Sequence, residues 1–502
     1  MEFLKKHAWI FLGLGIFTLY FFTRLYNILG LPIFTDEAIY VRWAQIASND
    51  AAWRFISLTD GKQPMYVWIA MVLMKLIHDP LLAGRIVSVI AGFFSMIGLF
   101  FLTNEIFKNR KIALFTSFMY VIYPFSLVYD RMALYDSLVA MFIIWAIYFE
   151  ILLVRHLRLD LALILGMIMG GGMLTKTHAN FALILLPLSL LLFNFRAKNW
   201  KKLLGKWIIF ALVAVFIANA MYLVLRLSPF FHIIETKNYV FSYQPQELLQ
   251  APFAYFLHNL SPLSDWVIKY MTLPFLVLVV ASFLTGKKYL KEKLLLLAWF
   301  ILPIVATAFI GRLLYPRFIL FMTIPLLILG TYALYQMVVF AKKIWLKIII
   351  CVVFLMMFVV NDFYIITDLA KAKIPRSDLG QFIVSWPSGG GVKETIDYLT
   401  EKSKTEKIYV GTEGTFGLMP YALEMYFINN PNVTIKAFWP VNDTMPEEVI
   451  TASKSMPTYF VFYQPCSPCA RAGIAPKQWP VTQIFQIKKL EKEVYYTLYQ
   501  VK

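Results

Sequence analysis

Apolar runs long enough to cross a bilayer recur from the N-terminus to about residue 366, and no other feature of this chain limits its fold as strongly. Runs near or above the roughly 18–20 residues needed for a crossing fall at about 8–27, 81–107, 112–129, 133–154, 207–227, 266–285, 294–311, 316–340 and 348–366. Between 159 and 195 a longer apolar stretch is broken by Lys176, His178 and Asn180, which reads as two shorter helices meeting at a polar turn. Eleven spans are expected. Hydrophobic residues make up 60% of the chain and charged residues 15%, against roughly 45–50% and about 25% in soluble domains. A disordered chain, a coiled coil and an ordinary cytosolic enzyme are excluded. The expected fold class is a polytopic α-helical membrane protein.

The net charge of +18 is carried by short clusters between the apolar runs: Lys5-Lys6, KNRK at 108–111, RHLR at 155–158, RAKNWKKLLGK at 196–206, KKYLKEK at 287–293 and KKIWLK at 342–347. None interleaves aromatics as an RNA-binding tract would, so nucleic acid is not an expected partner. The segment 64–78, PMYVWIAMVLMKLIH, is apolar but only fifteen residues long. If it spanned, every later basic cluster would follow KNRK to the outside. Read as an interfacial helix, it leaves all six clusters cytoplasmic, which the positive-inside rule favours. The N-terminus is then inside, and the loops after spans 1, 3, 5, 7, 9 and 11 are outside. The first run ends in NILGLP without a small-residue cleavage site, as expected of an uncleaved signal anchor in the plasma membrane.

After about residue 367 the apolar runs shorten. Residues 1–366 read as a membrane module, with a first outer loop at 28–80 and a long outer loop at 228–265. Residues 367–502 read as a small extracytoplasmic α/β or α+β domain. In it, 392–403 and 418–430 have helical spacing, while IYVGTE (408–413), TIKAFW, PTYFVFYQ, VTQIFQIKK and EVYYTLYQ read as strands.

Ionisable groups near hydrocarbon are costly and therefore candidates for function, and here they gather at one membrane surface. The first outer loop carries Asp36-Glu37 and Tyr40, then Lys62. After span 3 come Arg131, Asp136 and Ser137; after span 5, Lys176 and His178; after span 9, Arg317. Taken singly, Asp36-Glu37 could be only an N-terminal helix cap, and each cation a snorkelling charge or an inter-helix ion pair. Together they describe a carboxylate base beside several cations.

In these motifs the chain resembles the GT-C superfamily of polyprenyl-phosphate-sugar glycosyltransferases, and within it the protein O-mannosyltransferases and lipid A aminoarabinose transferases. The Asp-Glu opening of the first loop, with Lys-x-Pro before a short apolar helix, is similar to the family's. So are DRMALYDSLVAMF, LTKTHA and YPRFILFMTIPLLIL. The resemblance covers roughly residues 8–340. It implies a donor sugar on a polyprenyl phosphate and a hydroxyl acceptor on a protein, a lipid or a cell-envelope glycan. Transfer is by one inverting displacement at the outer face. Asp36 would be the general base, with Glu37 beside it. Lys62, Arg131, Lys176 and Arg317 would meet the leaving phosphate, and Tyr40, Asp136 and His178 would support them. No cofactor is firmly implied; a divalent cation held by Asp36, Glu37 and Asp136 stays open. The family's Lys-Pro-Pro is here Lys62-Gln63-Pro64, and in the long outer loop His232, Glu235 and Tyr239 are unaligned candidates. The tail matches no catalytic family.

Cys351 falls in the last span, and Cys466-Ser-Pro-Cys469 in the tail leaves a disulfide, free thiols or half a metal site open. The sequons at 432–434 and 442–444 matter only where a host glycosylates this compartment. The competing class is a transporter or flippase of lipid-linked sugars. It would predict paired repeats and charges at the midplane, and the sequence has neither.

Overall fold

Pro316–Phe340 is the central helix of the membrane unit, with 94% of its apolar window buried, whereas the corresponding windows of the first and last long helices are only 17% buried. In the computed structural model, residues 8–251, 253–285, 288–466, 471–491 and 493–502 are described. Among them, seven helices are long and apolar enough to span a bilayer. The remaining four expected spans are also helical but shorter or broken: Arg110–Val121 with Pro124–Tyr129, Leu159–Met173, Thr177–Leu192, and a pair at Ala254–Met271 and Leu273–Leu284. The first break has a local cause. Pro124 disfavours helical backbone at Tyr123 and starts a new helix at its own fixed φ. The last pair bends by 92° at Thr272, whose φ is +60. Its first helix begins at Ala254, so the long outer loop ends earlier than the hydropathy suggests.

The chain divides into two units, each built from separated stretches: residues 1–26, 54–66 and 85–375, and residues 27–53, 67–84 and 376–502. In the first, small residues let helices approach closely. A Cβ on Gly166 would lie 2.8 Å from the Ala214 carbonyl oxygen, so Leu159–Met173 packs on Trp200–Tyr222 backbone to backbone. Three of the basic clusters meet at one end of this unit. Arg155 bonds Glu105 at 2.6 Å and Glu292 at 2.9 Å, and Lys108 bonds Glu105 at 2.5 Å.

The second unit is organised around a mixed sheet. Its strands are β1 (Ile408–Glu413), β2 (Val433–Phe438), β3 (Thr458–Phe462), β6 (Val481–Lys488) and β7 (Tyr495–Val501), in the order β2-β1-β3-β7-β6; the two-residue strands β4 (Pro465–Cys466) and β5 (Arg471–Ala472) pair separately. β2, β1 and β3 run parallel, and β7 and β6 close the sheet antiparallel. β1 and β3 are buried along their whole length, as expected of strands covered on both faces. Phe460, Phe462, Trp479 and Tyr499 form the core of one face. Helices at Val392–Ser403 and Leu418–Phe427 match the sequence reading, and Glu447–Ser453 adds a short helix that it lacks. Cys469 and the side chain of Cys466 lie outside the described residues, so the Cys466/Cys469 pair falls outside them too.

Candidate functional site

Asp36 and Glu37 open the helix Thr35–Asn49. Glu37 is fully buried, and its carboxylate accepts the Phe34 backbone N–H at 3.0 Å. That bond satisfies one of the orphan donors of a helix start, so Glu37 does the capping work that the sequence allowed for the pair. Asp36 is half-buried one position earlier, and the Tyr40 hydroxyl donates to it at 3.3 Å, one helical turn away.

What fixes this helix comes from far along the chain. Thr35 donates its backbone N–H (3.1 Å) and its hydroxyl (2.9 Å) to the Pro387 carbonyl. The Gly389 N–H donates to the Ile33 carbonyl at 2.7 Å, and Phe34 and Ser388 form an antiparallel bridge. Further along, Arg42 pairs with Glu424 at 2.8 Å, and the Gln45 amide donates to the Met425 carbonyl at 2.8 Å. The C-terminal residues are therefore the bed on which the Asp36 helix lies.

The cations gather in the membrane unit, where loops distant in sequence are tied together. The Met65 N–H donates to the Leu174 carbonyl at 3.0 Å, and Gln63 donates to the Thr177 hydroxyl at 3.0 Å. Gln63, the departure from Lys-Pro-Pro, thus joins the Lys62 loop to the Lys176 turn. The Thr177 hydroxyl in turn bonds Asn238 at 3.2 Å, and Lys237 pairs with Asp60 at 2.5 Å. Gly61 is needed twice at this junction: its φ is +66, and a Cβ there would lie 2.5 Å from the Lys237 side chain.

Two aromatic rings organise the positive charge. Phe241 and Phe318 meet edge to face, with centroids 5.9 Å apart. The Lys62 ammonium lies 5.3 Å from the Phe241 centroid, and the Lys176 ammonium 4.5 Å from that of Phe318. The Arg317 guanidinium stands 4.9 Å from the Tyr315 ring and 5.9 Å from Phe318. Such contacts hold a cation in place without neutralising it. Lys176 also pairs with Asp136 at 2.6 Å. The His178 ring packs 4.8 Å from Phe318.

Lys62, Lys176, His178, Arg317 and Asp136 thus form one cluster. Arg131, in the same unit, is 1% exposed and donates to the Thr23 (3.1 Å) and Tyr26 (3.0 Å) carbonyls at the end of the first helix. In the long outer loop, His232 is exposed and contacts the Pro229 carbonyl, and the Tyr239 hydroxyl donates to Glu235 on an exposed helix face. The residues of that helix which join the cluster are Lys237, Asn238 and Phe241. Sequence reasoning passed over them, although their i, i+1, i+4 spacing puts them on one helical side. Among the described residues, no three His, Cys, Asp or Glu side chains form a metal-holding group. Glu37 accepts the Phe34 N–H, and Asp136 pairs with Lys176.

Residues 61–223, about a third of the chain, match the family model for dolichyl-phosphate-mannose-protein mannosyltransferases. No curated protein matches the chain by sequence. Among solved structures, ArnT from Cupriavidus metallidurans in the apo state aligns over 99% of this chain and 98% of its own, with TM-score 0.59 and 13% identity. The same protein bound to undecaprenyl phosphate aligns over 98% of both chains, with TM-score 0.55 and 13% identity. The Archaeoglobus fulgidus oligosaccharyltransferase in the apo form aligns over 92% of this chain and 70% of its own, with TM-score 0.52 and 11% identity. These likenesses establish the shared fold, including the C-terminal unit.

Proposed function

We propose that this chain, a multi-pass GT-C glycosyltransferase of the kind dependent on a polyprenyl-phosphate sugar, transfers that sugar to a hydroxyl acceptor by a single inverting displacement at the extracytoplasmic face. The observation that carries the reading is the cluster of Lys62, Lys176 and Arg317 around Phe241 and Phe318. Cation–π contacts bring the three positive charges into one cluster, suited to an anionic group.

In the reaction, the acceptor oxygen forms a bond to the anomeric carbon while the bond from that carbon to the phosphate oxygen breaks. Asp36 takes the hydroxyl proton, and the lipid phosphate leaves with the bonding electrons. Lys62, Lys176 and Arg317 balance the charge that grows on it. Glu37 caps the helix that presents Asp36, Tyr40 orients the carboxylate, and Asp136 holds Lys176. His178 packs on the Phe318 ring beside the cations. Arg131 donates to the Thr23 and Tyr26 carbonyls, which ties its loop to the end of the first span.

The orientation proposed here, N-terminus inside, is supported by the charges at one end of the membrane unit. The bonds among Lys108, Glu105, Arg155 and Glu292 draw three basic clusters to one end, as cytoplasmic loops require. The donor is tested by incubating the purified protein in detergent with radiolabelled polyprenyl-phosphate sugars. Release of sugar to water or to an acceptor, with free polyprenyl phosphate as the co-product, supports the enzyme. Intact donor after long incubation with every sugar favours a transporter.

A further inference from the structure

Asp130 lies beside Arg131, is fully buried, and has no part in the reaction described above. Its carboxylate is nonetheless bonded by four side chains. One oxygen accepts from the Ser137 hydroxyl at 2.8 Å and from the Tyr120 hydroxyl at 3.3 Å. The other faces the Arg24 Nε at 3.4 Å and the Tyr20 hydroxyl at 3.4 Å. Gly92 leaves room for it, since a Cβ there would lie 2.3 Å from the carboxylate oxygen. Arg24 is itself fixed, donating to the Val121 carbonyl at 2.5 Å, the Tyr120 carbonyl at 3.2 Å and the Ser126 hydroxyl at 3.1 Å.

A buried ion pair of this kind does not favour stability over an apolar replacement; its best-attested use is to fix one arrangement of the chain. Here the fixed element can be followed. Ser137 adjoins Asp136, the first residue of the helix Asp136–His156, and Asp136 holds the Lys176 ammonium at 2.6 Å. The line runs from Arg24 through Asp130, Ser137 and Asp136 to Lys176. Along it, a group in the first membrane helix sets the place of a cation in the cluster.

We propose that Asp130 is a positioning residue for Lys176, acting through Ser137 and the start of the Asp136–His156 helix. The inference rests on the reading that Lys176 meets the donor phosphate. It predicts a coupling that a merely structural carboxylate would not show. The full-length protein in detergent is titrated with undecaprenyl phosphate in four forms: unaltered, Ser137→Ala, Lys176→Gln and the double variant. Ser137→Ala removes one hydroxyl and leaves the Arg24–Asp130 pair intact, so it folds even if Asp130→Asn does not. Ser137→Ala alone is expected to weaken binding about fivefold to tenfold, the scale of one hydrogen bond. In the Lys176→Gln background it should change binding by less than twofold, because the group it positions is gone. Where Asp130→Asn folds, it should follow the same pattern with a larger single effect.

Equal fold-losses from Ser137→Ala in both backgrounds would overturn the proposal and leave Asp130 as a stabiliser of the fold. An unaltered affinity in Ser137→Ala would overturn it as well. If Lys176→Gln itself binds undecaprenyl phosphate normally, the phosphate role of Lys176 fails first and the positioning role falls with it.

Discussion

Replacing Gly389 by alanine should lower turnover without weakening donor binding, because Gly389 supports the Asp36 helix and not the cations. A Cβ at Gly389 would lie 2.4 Å from the Ile33 carbonyl oxygen and 3.2 Å from its carbon. Real Cβ atoms do not approach backbone so closely, so the bridge between Phe34 and Ser388 must open. The 2.7 Å bond from the Gly389 N–H to Ile33 is stretched or lost, at about 0.5–1.5 kcal/mol. Overpacking adds roughly 1–3 kcal/mol, for a combined cost of about 1.5–4.5 kcal/mol on the seating of residues 33–35. Asp36 follows immediately, and a shift of about 1 Å in a catalytic group can cost on the order of 10²-fold in rate. Gly390→Ala is the matched control: its Cβ would meet only the Lys489 ammonium at 3.5 Å, an ordinary contact. The assay is steady-state release of sugar from a polyprenyl-phosphate donor, with kcat and KM separated. Gly389→Ala should lose roughly 10–10²-fold in kcat with KM within about threefold, and Gly390→Ala should behave as the unaltered protein. A normal kcat in a well-folded Gly389→Ala protein, or equal losses in both variants, would refute the argument that the tail seats the base.

Three further outcomes are expected. Phe318→Leu keeps an apolar side chain but removes the ring beside Lys176 and Arg317, so affinity for undecaprenyl phosphate should fall about twofold to thirtyfold, the range of a cation–π contact of roughly 0.5–2 kcal/mol; unchanged titration would remove the ring from the account. Burial holds Lys489 down at about 8, below its ordinary 10.5. Between those values the unfolded chain binds more protons than the folded one, so stability should rise with pH there, by at most about 3 kcal/mol. Lys489→Met should flatten that rise in thermal melts from pH 8 to 10.5, and an unchanged slope would contradict it. In a cysteine-free background, an impermeant thiol reagent applied outside intact cells should label cysteines introduced at Asn49 and Asn442 but not at Lys201. Labelling at Lys201 would reverse the orientation.

Much of the fold was legible because membrane spans and buried strands leave strong hydropathy signals. Val392–Ser403 and Ile408–Glu413 fall where their patterns put them. The breaks were harder to read, because Thr272 bends its helix through a positive φ that no residue type announces. The candidate site was legible only as a set of charges on one surface. Within that set Lys62, Lys176 and Arg317 cluster around two rings, while Arg131 bonds the Thr23 and Tyr26 carbonyls. What separates them is tertiary contact, which residue type does not encode. Phe241 and Phe318 were passed over for the same reason, since in a chain with 44 phenylalanines nothing marks a ring that faces cations. Glu37, a catalytic candidate in the sequence, accepts the Phe34 N–H at 3.0 Å, in keeping with the helix-start alternative the pair left open.

The central claim is that the base and the phosphate cations perform separable tasks, and one comparison tests it most directly. Asp36→Asn keeps size and shape but cannot accept the acceptor's proton. At saturating donor its turnover should fall by roughly 10²–10⁴-fold, the range for a lost general base, while the affinity of the same preparation for undecaprenyl phosphate stays within about twofold of the unaltered protein. Turnover near normal in Asp36→Asn, or a loss fully explained by weaker lipid-phosphate binding, would contradict the claim.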